Sequence, residues 1–200
     1  MKKTYLLSFL LFITVSSAFS QTKNIEDLYE DYTMLRMTND EKSKAIAVAS
    51  DLLKRSSELK EKQIANATYH LGRLYEETNQ MNLAIPYYEK SIKLTPGYYV
   101  PYLALGSYYF KDCQEMAKKI NEAALAKDIT SHKKLTEDYQ KLTKSTAAYL
   151  EKSYACDPDE TTKSKITFLY QSSKNNEALK SFDSRIKELE KGCITLLDDE

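Results

Sequence analysis

Apolar residues recur along most of this chain at intervals of three and four positions, the spacing of one buried side of an α-helix. No run alternates convincingly between apolar and polar residues, as a half-buried strand would. Only four glycines and four prolines occur among the 200 residues. The pattern therefore predicts an all-α protein.

Helix boundaries follow from the caps and breaks in this pattern. The first helix is expected over residues 24–37, with Asn24 as its N-cap, and the second from residue 39 or 40 onward. Further helices are expected over residues 63–78, 82–94, 161–171 and 176–191. Pro86 is expected in the first turn of its helix, where the missing N–H costs nothing.

One arrangement of residues occurs twice, 34 positions apart. The first copy is Leu71-Gly72-x2-Tyr75, Ala84-x3-Tyr88 and Pro96, and the second begins with Tyr102-x2-Leu105-Gly106-x2-Tyr109. This arrangement resembles the tetratricopeptide repeat, a helix-turn-helix unit of 34 residues. Thr68 replaces the leading aromatic residue of that family's pattern in the first copy. The resemblance implies a short helical solenoid of antiparallel helix pairs.

Two of the four glycines, Gly72 and Gly106, fall at equivalent positions inside predicted helices. A glycine within a helix costs about 1 kcal/mol relative to alanine. Their placement therefore predicts close approach of a neighbouring helix at both sites.

The second half of the second repeat is displaced along the chain. The sequence Tyr-Tyr-Glu-Lys-Ser at 87–91 is echoed by Tyr-Leu-Glu-Lys-Ser at 149–153, an offset of 62 rather than 34. The 28 additional residues keep a helical apolar spacing on both sides of a polar tip at 130–132. We expect an antiparallel helical hairpin, each arm extended by about 21 Å. A solvated lysine-rich loop is the alternative, but structureless loops of this length are uncommon in compact domains.

These observations divide the chain into consecutive segments. They are a signal peptide at 1–20, a degenerate capping pair at 24–60, a repeat at 65–98, a repeat with the insertion at 99–160, a C-terminal capping pair at 161–192 and a frayed tail at 193–200. Gly192 is a suitable C-cap for the last helix.

The amino terminus has the features of a secretory signal peptide. Lys2 and Lys3 precede a short apolar stretch at 6–15, and the small residues Ala18 and Ser20 precede Gln21. An uncleaved membrane anchor is the alternative, although about 20 apolar residues are normally needed to span a bilayer. No later apolar run has that length. The sequence therefore predicts a periplasmic or extracellular protein without a transmembrane segment after cleavage.

The charge balance narrows the class of possible partners. Without Lys2 and Lys3, 27 basic residues stand against 29 acidic ones, which argues against a nucleic-acid partner.

The three cysteines lie at different places in the predicted helices. Cys156 and Cys193 fall near the ends of second helices and could approach each other, whereas Cys113 lies within a helix. The favoured interpretation is small buried thiols, and the pairing is left open. No cysteine or histidine cluster has the spacing of a zinc site.

Catalytic motifs are not evident. The two histidines, His70 and His132, have no serine or cysteine partner on sequence grounds. No glycine-rich phosphate loop, metalloprotease motif or calcium loop occurs. The sequence predicts a protein that is not an enzyme and uses no cofactor.

In the family that the repeats resemble, the usual ligand site is a concave groove lined by the first helix of each repeat. The resemblance places eight candidate residues there: Asn66, Tyr69, Arg73, Glu76, Val100, Leu103, Ser107 and Phe110. Chaperone-tail-binding members use a lysine and asparagine clamp for a terminal carboxylate. Because this chain has Arg73 but not that set, the specificity is not implied here.

The predicted function is that of a non-catalytic exported scaffold. It would bind a protein or peptide through the groove or through the projecting hairpin. The alternative is a structural module whose hairpin seam pairs with a second copy, giving a homo-oligomer.

Overall fold

Helices form all the regular structure in residues 23–197, the part of the chain that this computed structural model describes. Their bounds are α1 Ile25–Leu35, α2 Lys42–Lys54, α3 Glu61–Glu77, α4 Met81–Leu94, α5 Val100–Leu125, α6 Ile129–Cys156, α7 Glu160–Ser172, α8 Asn176–Lys180 and α9 Phe182–Leu189. Short 3₁₀ turns at Asn39–Glu41 and Ser56–Glu58 flank α2. The expected signal peptide lies outside the described residues.

Successive helices pack as antiparallel pairs that stack side by side. The pairs are α1 with α2, α3 with α4, α5 with α6, and α7 with the short α8, after which α9 packs against α6. Each pair reaches the next through its second helix, because α2 contacts α3, α4 contacts α5, and α6 contacts α7. This arrangement confirms the predicted all-α, tetratricopeptide-like solenoid.

The turn from first to second helix has the same geometry in the last three pairs. Asn79, Lys127 and Lys174 each adopt the left-handed conformation, with φ between 57° and 59°. In each turn the following residue's N–H bonds a carbonyl five positions back; Gln80 N bonds Tyr75 O at 2.8 Å, for example. The α1–α2 connection uses a 3₁₀ turn instead. Three pairs thus share one turn geometry and the first pair departs from it.

Close helix approach at Gly72 and Gly106 is confirmed. A Cβ added to Gly106 would lie 2.6 Å from Leu150 Cδ2 and 3.3 Å from the Leu150 backbone nitrogen. A Cβ added to Gly72 would lie 3.0 Å from the Tyr88 ring. At both sites the second helix of the pair occupies the space that a side chain would need.

The insertion is a helical hairpin, as predicted. Its arms, α5 and α6, contain 26 and 28 residues, so each is about 40 Å long. The tip lies at residues 126–128 rather than at the predicted 130–132. The difference arises because Lys127 makes the left-handed turn and the Asp128 side chain caps α6, accepting the Ser131 N–H at 3.0 Å.

Residues of the predicted seam pack between the two arms and against α7. Cys113, Tyr139, Ala147 and Leu150 are buried in one core cluster with residues of α7. The Cys113 thiol is free and lies 3.6 Å from the Thr146 hydroxyl. The apolar side of each arm, whose spacing predicted the hairpin, is therefore buried by contacts within the molecule.

Pro86 does not lie in the first turn of its helix. The helix α4 begins at Met81, which places Pro86 at its sixth position, in the second turn. Pro86 is exposed. The backbone carbonyl of Asn82 that loses an i+4 partner therefore lies on the outer side of the helix, where water can satisfy it.

The C-terminal segment departs from the sequence prediction in two ways. The helix expected over 176–191 is divided at Ser181 into α8 and α9. The tail that follows α9 is docked on the fold up to Leu197 and is not frayed there. Ile194 N donates to Gly97 O at 2.9 Å, and Leu197 packs against a core cluster. A Cβ at Gly97 would lie 2.1 Å from the Gly192 carbonyl oxygen, so only glycine permits this docking.

A disulfide between Cys156 and Cys193 fixes the same segment to the end of α6. Their Cα atoms are 5.4 Å apart. The favoured interpretation of two buried thiols is therefore wrong for this pair, although it holds for Cys113. The bond forms because the docked tail returns to the end of α6, a feature that helix periodicity does not report.

A buried carboxylate on α6, that of Glu151, also fixes the position of α9. Glu151 is buried and accepts two hydrogen bonds from the Arg185 guanidinium, at 2.5 and 3.1 Å, and one from the Tyr170 hydroxyl at 2.9 Å. Burial and the Glu151 carboxylate raise the pKa of Tyr170 to about 12. Removal of one partner from such a buried pair costs about 3–5 kcal/mol.

Replacing Gly106 with alanine is predicted to destabilise the protein. The gain in helix propensity of about 1 kcal/mol is outweighed by the collision with Leu150, and overpacking typically costs about 1–3 kcal/mol. Urea unfolding would measure the difference. Gly72→Ala is the matched control, with a smaller loss because the Tyr88 ring can shift. A Gly106→Ala variant as stable as the wild type would contradict the close approach.

Loss of the disulfide is predicted to reduce the free energy of unfolding by about 2–4 kcal/mol, because it closes a long loop. Cys193→Ser should show this in urea unfolding and should speed hydrogen exchange at Ile194. Under denaturing, non-reducing conditions the wild-type chain should present one titratable thiol and Cys113→Ala none. Three thiols in the oxidised wild type would refute the pairing.

Candidate partner-binding face

The sides of the first helices of the four pairs, α1, α3, α5 and α7, are here together called the groove face. The Tyr32 hydroxyl donates to Asn66 Oδ1 at 2.8 Å and so joins α1 to α3. The rings of Phe110 and Phe168, 5.6 Å apart, join α5 to α7. The candidate residues taken from the family resemblance all lie on or just below this face.

Two of the eight candidates are core residues and present no surface to a partner. Asn66 is buried, and its Oδ1 accepts hydrogen bonds from Tyr32 and from Arg36 Nη1 at 3.2 Å. Tyr69 is buried against Tyr98, with ring centroids 4.9 Å apart. Their assignment to the groove is corrected, because α1 covers Asn66 and the segment before α5 covers Tyr69.

The other six candidates are accessible to different degrees. Arg73 and Glu76 are exposed, and Val100, Leu103, Ser107 and Phe110 are half-buried. Glu76 accepts a hydrogen bond from the Tyr88 hydroxyl, which occupies one of its oxygens. These six residues remain predicted partner contacts.

A cationic cleft opens where the end of α1 and the start of α2 meet α3. Its volume is about 370 Å³. The lining residues are Arg36, Met37, Asn39, Lys42, His70, Arg73, Leu74 and Glu77. Glu77 is the one carboxylate among them, and it pairs with Lys42 at 3.0 Å and with Arg73 at 2.7 Å. Three basic side chains against one acid leave the cleft with an excess of positive charge.

His70 forms part of the wall of this cleft and is neutral at physiological pH. Burial lowers the pKa of His70 to about 3, and the charges of Arg36 and Arg73 act in the same direction. Its ring packs on Tyr69 with centroids 4.7 Å apart. His70 therefore contributes a neutral polar surface, while the positive charge comes from the arginines and Lys42.

An aromatic cleft lies between α5 and α7. Its volume is about 450 Å³, and it is lined by Phe110, Glu160, Thr161, Ser164, Lys165 and Phe168. Lys165 Nζ donates to Ser107 Oγ at 3.1 Å and lies 5.9 Å from the centre of the Phe110 ring. Phe168 remains 40% exposed. The cleft offers aromatic contact area beside hydroxyl groups and a lysine.

Sequence reasoning missed four residues that give these clefts their character. Arg36 and Lys42 come from the first pair, and Lys165 and Phe168 from α7. Both pairs were classed as caps, so their helices were left out of the predicted groove. If the rule that first helices line the groove had been applied to the degenerate pairs as well, it would have included Arg36, Lys165 and Phe168. It would still have missed Lys42, which lies on α2.

The described residues show neither a metal site nor a membrane span. Within 23–197, no group of three or more histidine, cysteine or acidic residues is placed to hold a metal ion. In the same range, no helix is both long and apolar enough to cross a bilayer.

Comparison with known proteins identifies one repeat directly. Residues 65–98, which contain most of α3 and all of α4, match the family model for the tetratricopeptide repeat. No curated protein and no solved structure matches the chain. The match thus identifies one tetratricopeptide repeat at 65–98, and helix pairs of similar architecture stack on both sides of it.

Proposed function

We propose that this protein is a non-catalytic, exported scaffold that binds an extended segment of another polypeptide along its groove face. The observation that carries the proposal is the presence of two clefts of different chemistry on that one face. The cationic cleft suits an acidic side chain, and the aromatic cleft suits an apolar one. Proteins with this repeat generally act as interaction scaffolds.

In the cationic cleft, the arginines are suited to carboxylate recognition. A guanidinium can donate two parallel hydrogen bonds to one carboxylate, which adds both strength and geometry. Arg73 is exposed and holds Glu77 through Nε, so its terminal nitrogens face a ligand.

In the aromatic cleft, the gain on binding would come from buried apolar area. Burial of one large apolar side chain contributes about 1.5–3 kcal/mol. Phe110 and Phe168 provide the floor, and the Ser107 and Ser164 hydroxyls can bond the partner's backbone. Because the two clefts lie on different helix pairs, a ligand that uses both must be extended and must cross α3 and α5.

Export is supported by the amino-terminal pattern and by the disulfide. Disulfides persist in secreted and periplasmic proteins and are rare in the cytosol of mesophiles. Cys156 and Cys193 lie at bonding distance in the fold. We propose a periplasmic or extracellular location for the chain that follows residue 20.

Site-specific photocrosslinking is predicted to capture a polypeptide from the groove face. A photoreactive phenylalanine at Phe168, which is 40% exposed, should crosslink a protein from the native envelope or secreted fraction. The same probe at Leu83 on α4, 43% exposed, is the matched control and should not. Arg73→Glu should reduce capture by about tenfold, since one charge-assisted contact is lost, whereas Lys90→Glu on α4 should not. Equal capture from both probe positions would contradict binding at the groove face.

Export should leave a measurable new amino terminus. When the full chain is produced with a carboxy-terminal tag in an exporting host, we expect recovery outside the cytoplasm with Gln21 as the first residue. Mass spectrometry of the purified protein reads this directly. Recovery of the intact chain from Met1 in the cytoplasm would contradict the proposed signal peptide while leaving the groove proposal standing.

A further inference from the structure

The tip of the α5–α6 hairpin carries two aliphatic side chains that the fold leaves in solvent. Leu125 and Ile129 flank the turn and are 85% and 82% exposed, the highest values among the large apolar residues described. A shallow apolar cleft lined by Ala123, Ala124 and His132 adjoins Ile129. The buried seam does not account for these side chains, because its residues lie farther back along the arms.

Basic residues surround this apolar tip. Between positions 118 and 134 there are five lysines, Lys118, Lys119, Lys127, Lys133 and Lys134, and two acids, Glu122 and Asp128. Five minus two gives a net charge of +3, in a chain whose total formal charge is zero, and the acids Glu115, Glu137 and Asp138 lie farther back along the arms. All five lysines are exposed, and of these Lys118 is the one that forms an ion pair with a described residue, Glu115.

The distance between these lysines and the tip can be compared with the depth to which a surface-bound helix enters a bilayer. They lie within about seven residues of Leu125 or Ile129, and at 1.5 Å per residue the outer ones are set back by roughly 6–10 Å. An amphipathic helix at a bilayer surface buries its apolar side to a similar depth, about 5–10 Å, with its lysines at the headgroups. The tip thus has the dimensions of a shallow membrane anchor.

Charge and shape decide between the possible occupants of this surface. A second copy would bring two tips of charge +3 together. A folded acidic protein would have to supply a cavity for Leu125 and Ile129, which project from a convex end. A bilayer with anionic lipids meets both requirements, since it conforms to a convex apolar tip and places phosphates beside lysines.

We propose that the hairpin tip docks the protein on anionic lipid surfaces. Leu125 and Ile129 enter the boundary between headgroups and acyl chains, and the five lysines pair with lipid phosphates. The proposal does not depend on partner binding at the groove face, because it involves different residues.

The absence of tryptophan from the sequence allows a direct test. Leu125→Trp places a single indole at the tip, and Leu83→Trp on α4, at a site 43% exposed, is the matched control. The chain used begins at Gln21, so that the signal sequence cannot bind lipid. With vesicles of phosphatidylcholine containing about 30 mol% phosphatidylglycerol, Leu125→Trp emission should shift to the blue and become quenchable by brominated lipid. Leu83→Trp emission should not change.

Vesicle flotation then tests the apolar residues and the basic residues of the tip separately. Relative to wild type, Leu125→Ser/Ile129→Ser and Lys133→Glu/Lys134→Glu should each lose about tenfold or more of their binding to anionic vesicles. Leu83→Ser/Leu94→Ser and Lys90→Glu/Lys93→Glu, which change exposed residues on α4, should retain it. Circular dichroism should confirm that all four variants are folded.

Three outcomes would overturn the proposal. One is equal binding to anionic vesicles and to vesicles of phosphatidylcholine alone. The second is soluble polyglutamate binding that matches vesicle binding and persists in Leu125→Ser/Ile129→Ser, which would indicate an acidic polypeptide. The third is a dimer in analytical ultracentrifugation that Leu125→Ser/Ile129→Ser converts to a monomer, which would assign the tip to a second copy.

Discussion

The packing of α5 against α6 determines the position of every later element in this protein. Gly106 lets the two helices approach until Leu150 occupies the space of a side chain. From that contact, α6 extends to meet α7 and α9 and carries both Glu151 and Cys156. A wider separation at Gly106 would displace the attachment points of the whole C-terminal pair. Close helix packing is therefore the constraint on which the rest depends.

Helical periodicity and repeat spacing predicted most of the architecture because both report local side-chain burial. The offset of 62 residues identified the hairpin, and Asn24 identified the first helix start, where its side chain accepts the Glu26 N–H at 3.0 Å. The errors arose at residues whose burial depends on a segment that is distant in the sequence. Asn66 and Tyr69 fit a surface pattern within α3, but contacts from α1 and from Tyr98 bury them.

The C-terminal region illustrates the same limit in another way. The Leu-Gly pair of the two repeats is missing there, and long-range polar contacts hold the region in place. Glu151 and Arg185 lie 34 residues apart in sequence, and each resembles an ordinary surface residue of its own helix. Composition gives no signal for such a pair, so the docked tail and the divided last helix could not be derived from pattern, and the helix positions of Cys156 and Cys193 left their pairing open. The clefts of the candidate face were missed for a related reason, since they form between helix pairs.

The bond between Cys156 and Cys193 also changes the connectivity of the molecule. Repeat proteins are usually linear arrays whose terminal units open independently. Here α7, α8 and α9 belong to a covalent ring closed across 37 positions, and Ile194 joins that ring to Gly97 in the middle of the chain. A protease that cuts a loop of this ring would leave the two fragments linked and in place. The C-terminal end of this solenoid is thus protected by topology as well as by packing.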